Sequence, residues 1–135
     1  MIVSVAVAQG SEKVVVRWVE AFNAHDLDGM LACLAEDVDF HPLRLRGIDG
    51  RYRGHDGVRE WFANLRRSRH EHQIVVSETR DLGGGRVLAS GSLSLGGPVD
   101  VGSFCAVNRI HDGLIVGAHH YLSDANMMER VGLIP

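Results

Sequence analysis

Two histidines stand in short apolar stretches, where an imidazole could pass a proton to or from a substrate. In LIVGAHHYL (114–122), alternate residues that include His120 share one face of a predicted strand. Ala118 and Leu122 lie beside His120 on that face, so the imidazole is expected to be partly removed from water. Such a group can act as a general acid or base near neutral pH. His120 is therefore the first catalytic candidate, and a core histidine bonded to a backbone carbonyl is the alternative.

The second histidine lies in VDFHP (38–42), a short predicted strand with one apolar and one ionisable face. By alternation, His41 shares the ionisable face with Asp39 and points away from Phe40. A bulge before Pro42 would turn His41 inward, where it could serve as a base. His41 is therefore a further catalytic candidate, and an outward histidine is the alternative.

A third polar candidate and a set of rings complete the predicted site. Asn108 shares a strand face with Ala106 and could orient a carbonyl or a water, although a local hydrogen-bond partner would also explain it. Aromatic rings at helical or strand spacing could line a cavity for a hydrophobic substrate, or could simply form the core. The rings predicted to bind substrate are Trp18, Phe22, Phe40, Phe62 and Phe104.

The loop after the first predicted strand, LRLRGIDGRYRG (43–54), is rich in arginine. Arg44 and its neighbours could attract a carboxylate or phosphate on the substrate, so Arg44 is included among the substrate-binding candidates. The alternative is a solvated loop whose charge Asp49 partly neutralises.

The chain lacks the spacing of familiar metal and cofactor sites. His70 and His72 alternate, but no third ligand follows nearby, and no phosphate loop, dinucleotide fingerprint or nucleophile elbow is present. We therefore predict neither a metal nor a cofactor. The two cysteines, Cys33 and Cys105, are far apart and are expected to be reduced, buried thiols of a cytoplasmic protein.

Net charge and hydropathy limit the classes of partner that are expected. The formal net charge is −3, whereas nucleic-acid binding usually requires a basic surface, so nucleic acid is not expected as a partner. No apolar run approaches the length of a membrane span. The chain is expected not to be exported, although Ala6-Val7-Ala8 resembles a signal-peptidase site and leaves export as the alternative.

Three amphipathic helices followed by a run of strands must position these side chains. Apolar residues recur at helical spacing after Ser11, Asp26 and Asp56, each of which can cap a helix. After residue 70 the period changes to two, and glycine-rich breaks separate the strands. The predicted strands cover about 72–80, 86–95, 99–110 and 114–122. The breaks are too short for crossovers, so these strands should pair antiparallel as a meander.

Helices first and a meander after is an α+β pattern. A long bent sheet with three helices on its concave side would enclose a pocket, and Gly91, Gly102 and Gly117 inside strands indicate bulges or bends. Residues 1–135 are predicted to form one domain, in which 1–10 is a tail or an extra strand.

The residue pattern on the outer face of this sheet predicts a partner subunit. The strand at 99–110 is apolar on both faces, and such a strand is normally covered on both sides. His119, next to His120, should face this outer side. Because one domain supplies too few helices for a second layer, a homodimer through the outer sheet face is expected.

Three segments in a fixed order carry a family resemblance. They are VVRWVEAFNAHDLDGMLACLAEDVDFHP (15–42), YRGHDGVREWFANL (52–65) and NRIHDGLIVGAHHYLSD (108–124). Together they resemble the nuclear transport factor 2-like superfamily, in its SnoaL-like and ketosteroid-isomerase-like branch. The resemblance implies a cone-shaped curved antiparallel sheet, helices that enclose a deep pocket, and commonly a homodimer. The family includes isomerases, polyketide cyclases, epoxide hydrolases, dehydratases and members without known activity.

The resemblance also compares this chain with the isomerase machinery, in which a carboxylate abstracts a proton while a tyrosine and a protonated acid hold the oxyanion. Trp18 stands at the tyrosine position, Ala106 at that of the protonated acid, and either His41 or Pro42 at that of the base. Ketosteroid isomerisation itself is therefore not expected. The function implied is cofactor-independent acid–base chemistry of the isomerase, cyclase, dehydratase or hydrolase type on a hydrophobic organic substrate. The alternative is a non-catalytic domain that binds a ligand or a protein.

Overall fold

A curved, unclosed sheet of six strands carries three helices in this protein. The computed structural model describes residues 10–43, 50–67, 72–94 and 100–122. The helices are α1 (Glu12–Asn23), α2 (Leu27–Ala32) and α3 (Gly54–Arg67). The strands are β1 (Leu34–His41), β2 (Tyr52–Arg53), β3 (Gln73–Gly83), β4 (Arg86–Ser94), β5 (Asp100–His111) and β6 (Leu114–Leu122).

The strand order is β2-β1-β6-β5-β4-β3, so the last four strands form the antiparallel meander that the sequence predicts. β1 pairs parallel with β6, and its far side pairs antiparallel with β2. The two-residue strand β2 falls in a segment that the sequence indicates only as loop. The pairing of β1 with β6 sets the strand that follows α2 directly beside the strand of His120.

Register shifts bend the sheet near the three glycines singled out in the sequence. One shift lies in β3, opposite Gly91 and Ser90 of β4. A second lies between Leu93 and Ser94 of β4, beside Gly102 of β5, and a third lies next to Gly117 of β6. Gly91 also permits a close approach of two strands, because a Cβ there would lie 1.9 Å from the Val75 carbonyl oxygen. Bulges of this kind increase local twist and bend the strand that carries them.

The helices cover the concave face because their apolar stripes match it. α1 buries Val14, Val15, Trp18, Val19 and Phe22, and α3 buries Val58, Trp61, Phe62 and Leu65. α1 packs on β3, β4 and β6, whereas α3 packs on β1 and β2. Both stripes follow the i, i+3, i+4, i+7 spacing read from the sequence.

The helix ends differ in part from the caps that the sequence predicts. Asp26 caps α2 as expected, since its carboxylate accepts a hydrogen bond from the Gly29 amide at 3.0 Å. Ser11 precedes α1, but its side chain makes no capping bond. α3 begins two residues before Asp56, at Gly54, whose φ of +72° suits a glycine. Leu34, which fits the helical spacing of α2, instead begins β1.

Side-chain hydrogen bonds at both ends of α1 fasten it to the edge strand β3. At the end of α1, Asn23 donates to the Ile74 carbonyl and accepts from the Ile74 amide, both at 2.8 Å. At its start, Glu12 accepts a hydrogen bond from the Thr79 hydroxyl. These contacts fix α1, the helix that carries Trp18, to the edge strand of the sheet.

The tail or extra strand expected at 1–10 lies outside the described residues except for Gly10, and so do Arg44 and Asp49 of the arginine-rich loop. Within the described ranges, no helix is long and apolar enough to cross a membrane.

Candidate functional site

Two rows of cross-strand partners form the inner face beneath the helices. The first row is Phe40, Ala118, Asn108 and Val87, and the second is His120, Ala106 and Ala89. Partners in register share a face, so His120 and Asn108 point toward the helices, as alternation predicts. The alanines between them leave space that larger side chains would fill.

His120 stands among aromatic rings from three elements. Its ring centroid lies 5.3 Å from that of Phe40, 6.0 Å from Trp18 and 6.2 Å from Phe104. The first two contacts are edge-to-face, at 85° and 75°. This apolar shell keeps water from most of the imidazole.

The shell sets the charge of His120. Burial, together with the smaller influence of a protonated His119, lowers the pKa of His120 to about 4. The side chain is therefore neutral at pH 7. A neutral imidazole has one nitrogen that donates a hydrogen bond and one that accepts a hydrogen bond or a proton.

Trp18 lies at the centre of the ring cluster. It stacks on Phe22 at 5.6 Å and on Trp61 at 6.2 Å between centroids, and Phe40 meets Trp61 edge-on at 4.7 Å. The Trp18 indole N–H is buried and has no hydrogen-bond acceptor among the described residues. A buried donor without a partner costs about 1–3 kcal/mol, so a hydrogen bond from this N–H to an acceptor on a bound molecule would be favourable.

Two small cavities lie between the helices and the sheet. The outer cavity has a volume of about 30 Å³ and the inner cavity about 20 Å³. The outer cavity reaches the end of β1 and α3, where Pro42, Leu43, Trp61 and Leu65 line it. The inner cavity extends over the alanines of β4–β6 to Asn108. Trp18, Phe104 and His120 line both cavities, so the predicted rings and the predicted base meet at one place.

Asn108 lies at the inner cavity and is 5% exposed. Its side-chain amide donates a hydrogen bond to the Val87 carbonyl at 3.3 Å. The local partner that the sequence left as an alternative is therefore present. This bond holds the amide beside the cavity in a fixed orientation.

His72 is a further polar residue of the site that the sequence reading did not select. It borders the outer cavity together with His120 and is 6% exposed. The signal was available in the sequence, because His72 shares strand parity with Ile74 and Val76, which both face the core. Two imidazoles consequently border one cavity.

His41 lies on the opposite face of the sheet, as plain alternation predicts. Its Nε2–H donates to the Asp39 carboxylate at 3.0 Å, and Arg51 donates to the same oxygen at 2.6 Å. Its ring also meets the ring of His119 at 3.9 Å between centroids. The Arg51 hydrogen bond holds the pKa of Asp39 below its usual range. No bulge turns His41 inward, because His41 keeps its register with His119.

The comparisons with known proteins agree with this architecture. Residues 15–118 match the family model of the SnoaL-like domain. The chain belongs to the SnoaL-like family. No curated protein sequence matches the chain.

Solved structures of similar proteins share the fold of this SnoaL-like chain. A nuclear transport factor 2-like protein of unknown function from Burkholderia pseudomallei is 24% identical, with a TM-score of 0.73 over 93% of this chain and 99% of that one. TerC, crystallised with polyporic acid, is 20% identical, with a TM-score of 0.73 over 88% and 95%. A protein from Sinorhizobium meliloti, provisionally assigned as a polyketide cyclase, is 17% identical, with a TM-score of 0.67 over 80% and 93%. At these identities the likeness establishes the fold.

Within the SnoaL-like fold, the positions compared above with isomerase groups separate into two sets. Trp18 and Ala106 border the cavities, and so does Pro42. His41 does not, because it faces the outer side with Asp39. Of the two positions compared with the isomerase base, Pro42 therefore borders the outer cavity and His41 does not.

Four of the five rings predicted to bind substrate line a cavity: Trp18, Phe22, Phe40 and Phe104. Phe62 is buried at 8% exposure but lines neither of these two cavities. Its ring instead supports the Arg66 guanidinium, 5.7 Å away. The difference arises because Phe62 and Trp61 are neighbours on α3, and only Trp61 points toward the aromatic cluster around Trp18.

Proposed function

We propose that the protein binds a small hydrophobic organic molecule between the helices and the sheet, and that His120 carries out cofactor-independent acid–base chemistry on it. The observation that carries the proposal is the meeting of a neutral imidazole and an unpaired indole N–H on the same cavities. One group can accept a proton, and the other can donate a hydrogen bond to a developing oxyanion. Isomerisation, aldol-type cyclisation, dehydration and water addition all need this pair of functions.

The low pKa of His120 is compatible with the role of a base. An imidazole with a pKa of about 4 is fully deprotonated at pH 7, so every molecule of the enzyme is ready to accept a proton. An imidazole with so low a pKa is a weak base, yet ketosteroid isomerase abstracts a proton with a carboxylate whose pKa is only about 4.6. There, as proposed here, hydrogen bonds to the oxyanion supply the remaining stabilisation.

Trp18 is the proposed partner of His120. The two ring centroids are 6.0 Å apart, and the Trp18 N–H has no other acceptor in the described structure. An indole N–H is a weaker acid than a phenol, so we expect it to polarise a carbonyl without transferring its proton. Asn108, fixed by its bond to Val87, would orient the ligand from the inner cavity.

Two structural relatives support an organic ligand. TerC was crystallised with polyporic acid, and the Sinorhizobium meliloti protein is provisionally assigned as a polyketide cyclase. Both names concern organic molecules that a pocket of aromatic side chains suits.

The second candidate is a non-catalytic domain of the same fold that binds a ligand or a protein. It is favoured by the aromatic packing of the interior, which leaves cavities of only about 30 and 20 Å³. It is also favoured by the lining, because no described residue of either cavity is a carboxylate.

We further propose a cytoplasmic homodimer that associates through the outer sheet face. Two buried free thiols, Cys33 and Cys105, support a reducing compartment. Val107 and the ring of His119 lie in register on the outer face and would be central to such an interface.

The test is a screen of enones, β-diketones and epoxides for turnover, followed by His120→Gln, which keeps a polar side chain but removes the base. We expect kcat/KM for any substrate found to fall at least ~100-fold. His111→Gln is the matched control, since the His111 side chain is 77% exposed at the end of β5 and lines neither cavity. Retained turnover in His120→Gln would exclude His120 as the base. Saturable binding without turnover across the panel would favour the non-catalytic candidate.

A further inference from the structure

The two cavities are neighbours that share a wall of four side chains. These side chains, which border both cavities, are Trp18, Ile74, Phe104 and His120. A cavity that holds a single water needs about 10–15 Å³, whereas ligand pockets usually span ~300–1,000 Å³. At about 30 and 20 Å³, each cavity is far smaller than such a pocket while this wall stays in place. If an organic molecule binds here, as proposed above, part of the wall must move.

Trp18 is the member of the wall whose displacement frees the most space. It has the largest side chain of the four, and it is the only one that a helix carries. Ile74 belongs to a backbone segment that Asn23 holds with two hydrogen bonds. Phe104 and His120 stand on β5 and β6, which both have strand partners on each side.

The polar group of Trp18 gives a second reason. Its buried N–H has no acceptor in the described structure, so rotation of the ring would break no hydrogen bond there. The contacts that would be lost are ring contacts at 5.6–6.2 Å between centroids, with Phe22, Phe40, Trp61 and His120. A flat ligand could replace such stacking contacts, and an oxygen on it could satisfy the N–H.

We propose that the two cavities are the ends of one ligand cavity, that the Trp18 side chain is a movable partition between them, and that its indole N–H donates to an acceptor oxygen of the bound molecule. The inference rests on the proposed function and specifies its ligand. The described lining holds no Asp, Glu, Lys or Arg, so a molecule with a permanent charge would be left unpaired. The ligand class is therefore an uncharged, flat, ring-containing carbonyl compound.

A pair of probes tests the partition and the hydrogen bond together. 1-Indanone has a flat ring and a carbonyl, whereas indane has nearly the same shape without the acceptor. Both are titrated into the ¹⁵N-labelled full chain while the indole N–H resonances are followed. The sequence has two tryptophans, so Trp61→Phe assigns the signal of Trp18. We expect 1-indanone to move the Trp18 N–H downfield, as a new hydrogen bond requires, and to bind about tenfold more tightly than indane.

Trp18→Phe keeps a ring in the wall and removes the donor. In this variant the preference for 1-indanone over indane should disappear. A preference equal to that of the wild-type protein would overturn the assigned hydrogen bond. Binding that shifts the resonances of His120 but leaves the Trp18 signal in place would overturn the partition and leave the proposed function standing.

Trp18→Leu removes the partition and joins the two cavities permanently. Tighter binding of indane to this variant than to the wild-type protein is expected, because the cost of moving the indole is gone. If 1-indanone binds the variant but not the wild-type protein, Trp18 is a fixed wall and the partition is wrong. If neither probe shifts any resonance of the wild-type protein or of the variant, both the partition and the proposed organic-ligand site are contradicted.

Discussion

The imidazole of His120 and the phenyl ring of Phe40 lie 5.3 Å apart between centroids and nearly perpendicular, at 85°. Phe40 belongs to β1 and His120 to β6, and these strands pair in parallel. The ring of Phe40 thus covers the imidazole from a neighbouring strand, and burial is the main cause of the low pKa of His120. The same alternation that brings Phe40 inward sends His41 to the outer face.

The partly desolvated imidazole of His120 should make the stability of the fold depend on pH. The folded-state pKa of about 4 lies below the ordinary value of 6.5, so the unfolded chain takes up the proton first as the pH falls. The free energy of unfolding should therefore decrease between pH 6.5 and pH 4, by at most about 3 kcal/mol from this group. Urea unfolding at pH 7, 5.5 and 4 measures the loss.

His120→Gln is the comparison for this pH series, because glutamine does not titrate. The difference in unfolding free energy between wild type and variant should change across the window and level off above pH 7. Parallel pH profiles for the two proteins would show that His120 does not carry the predicted linkage.

Replacing Phe40 by leucine should raise the pKa of His120. The smaller side chain admits water to the imidazole, and hydration favours the charged form. We expect the pKa to move from about 4 toward the ordinary value of 6.5, as followed by the NMR shift of the ring proton on Cε1. Phe62→Leu is the control, since Phe62 is buried on α3 but borders neither cavity. An unchanged pKa in Phe40→Leu would mean that another side chain excludes the water.

Asn23 should contribute more to stability than its place at a helix end suggests. Its amide pairs with both backbone groups of Ile74, in the manner of a neighbouring strand, and so closes part of the free edge of β3. Asn23→Ala should lower the free energy of unfolding by about 1–3 kcal/mol, because two backbone groups lose their partner. Asn64→Ala is matched to it, since Asn64 accepts a hydrogen bond from the exposed Arg67 and its loss should cost less than about 0.5 kcal/mol. Equal costs in a urea titration would contradict the role of Asn23.

Gly91 should be among the least replaceable glycines. An added Cβ would lie 1.9 Å from the Val75 carbonyl oxygen, so Gly91→Ala must push β3 and β4 apart at the bulge. We expect a loss of about 3 kcal/mol or more. Gly84→Ala gives the comparison, since Gly84 has a positive φ of +62° but open space around it, and should cost about 1 kcal/mol. Thermal unfolding that ranks the two variants in the reverse order would argue against the close strand approach.

Much of the scaffold could be predicted from hydrophobic period alone, because α1, α3 and the meander bury regular stripes. The inward direction of His120 and the outward direction of His41 follow from alternation in β6 and β1. β1 was predicted to be shorter than it is, since Leu34 fits both the helical spacing of α2 and the first inward position of the strand. Local spacing cannot choose between these two environments.

Other features of the site depend on packing between distant segments and cannot be predicted from local residue spacing. The unpaired N–H of Trp18 is one, because the spacing of α1 places the ring in the core without showing what its nitrogen meets. The division of the interior into two small cavities is another, since it depends on how Trp18 and Trp61 stack. His72 is a different case, because strand parity with Ile74 would have found it.

The proposed homodimer can be tested at one residue of the outer sheet face. Val107 lies in β5 between Leu88 and His119, and His119 is in turn paired with His41, so this row crosses the middle of the outer face. A glutamate at Val107 would place a charge in the centre of the proposed interface, where it would lose its hydration without gaining a partner. Light scattering should therefore report twice the mass of the chain for the wild-type protein and the mass of one chain for Val107→Glu.

Ala63→Glu makes the same kind of change on the exposed side of α3, away from the outer sheet face, and should leave the dimer intact. The two variants together separate a specific interface from a general effect of added charge. A wild-type protein with the mass of a single chain at micromolar concentration would contradict the dimer directly. A Val107→Glu protein that stays dimeric would instead place the interface elsewhere on the molecule, because a buried unpaired carboxylate at its centre costs several kcal/mol of association energy.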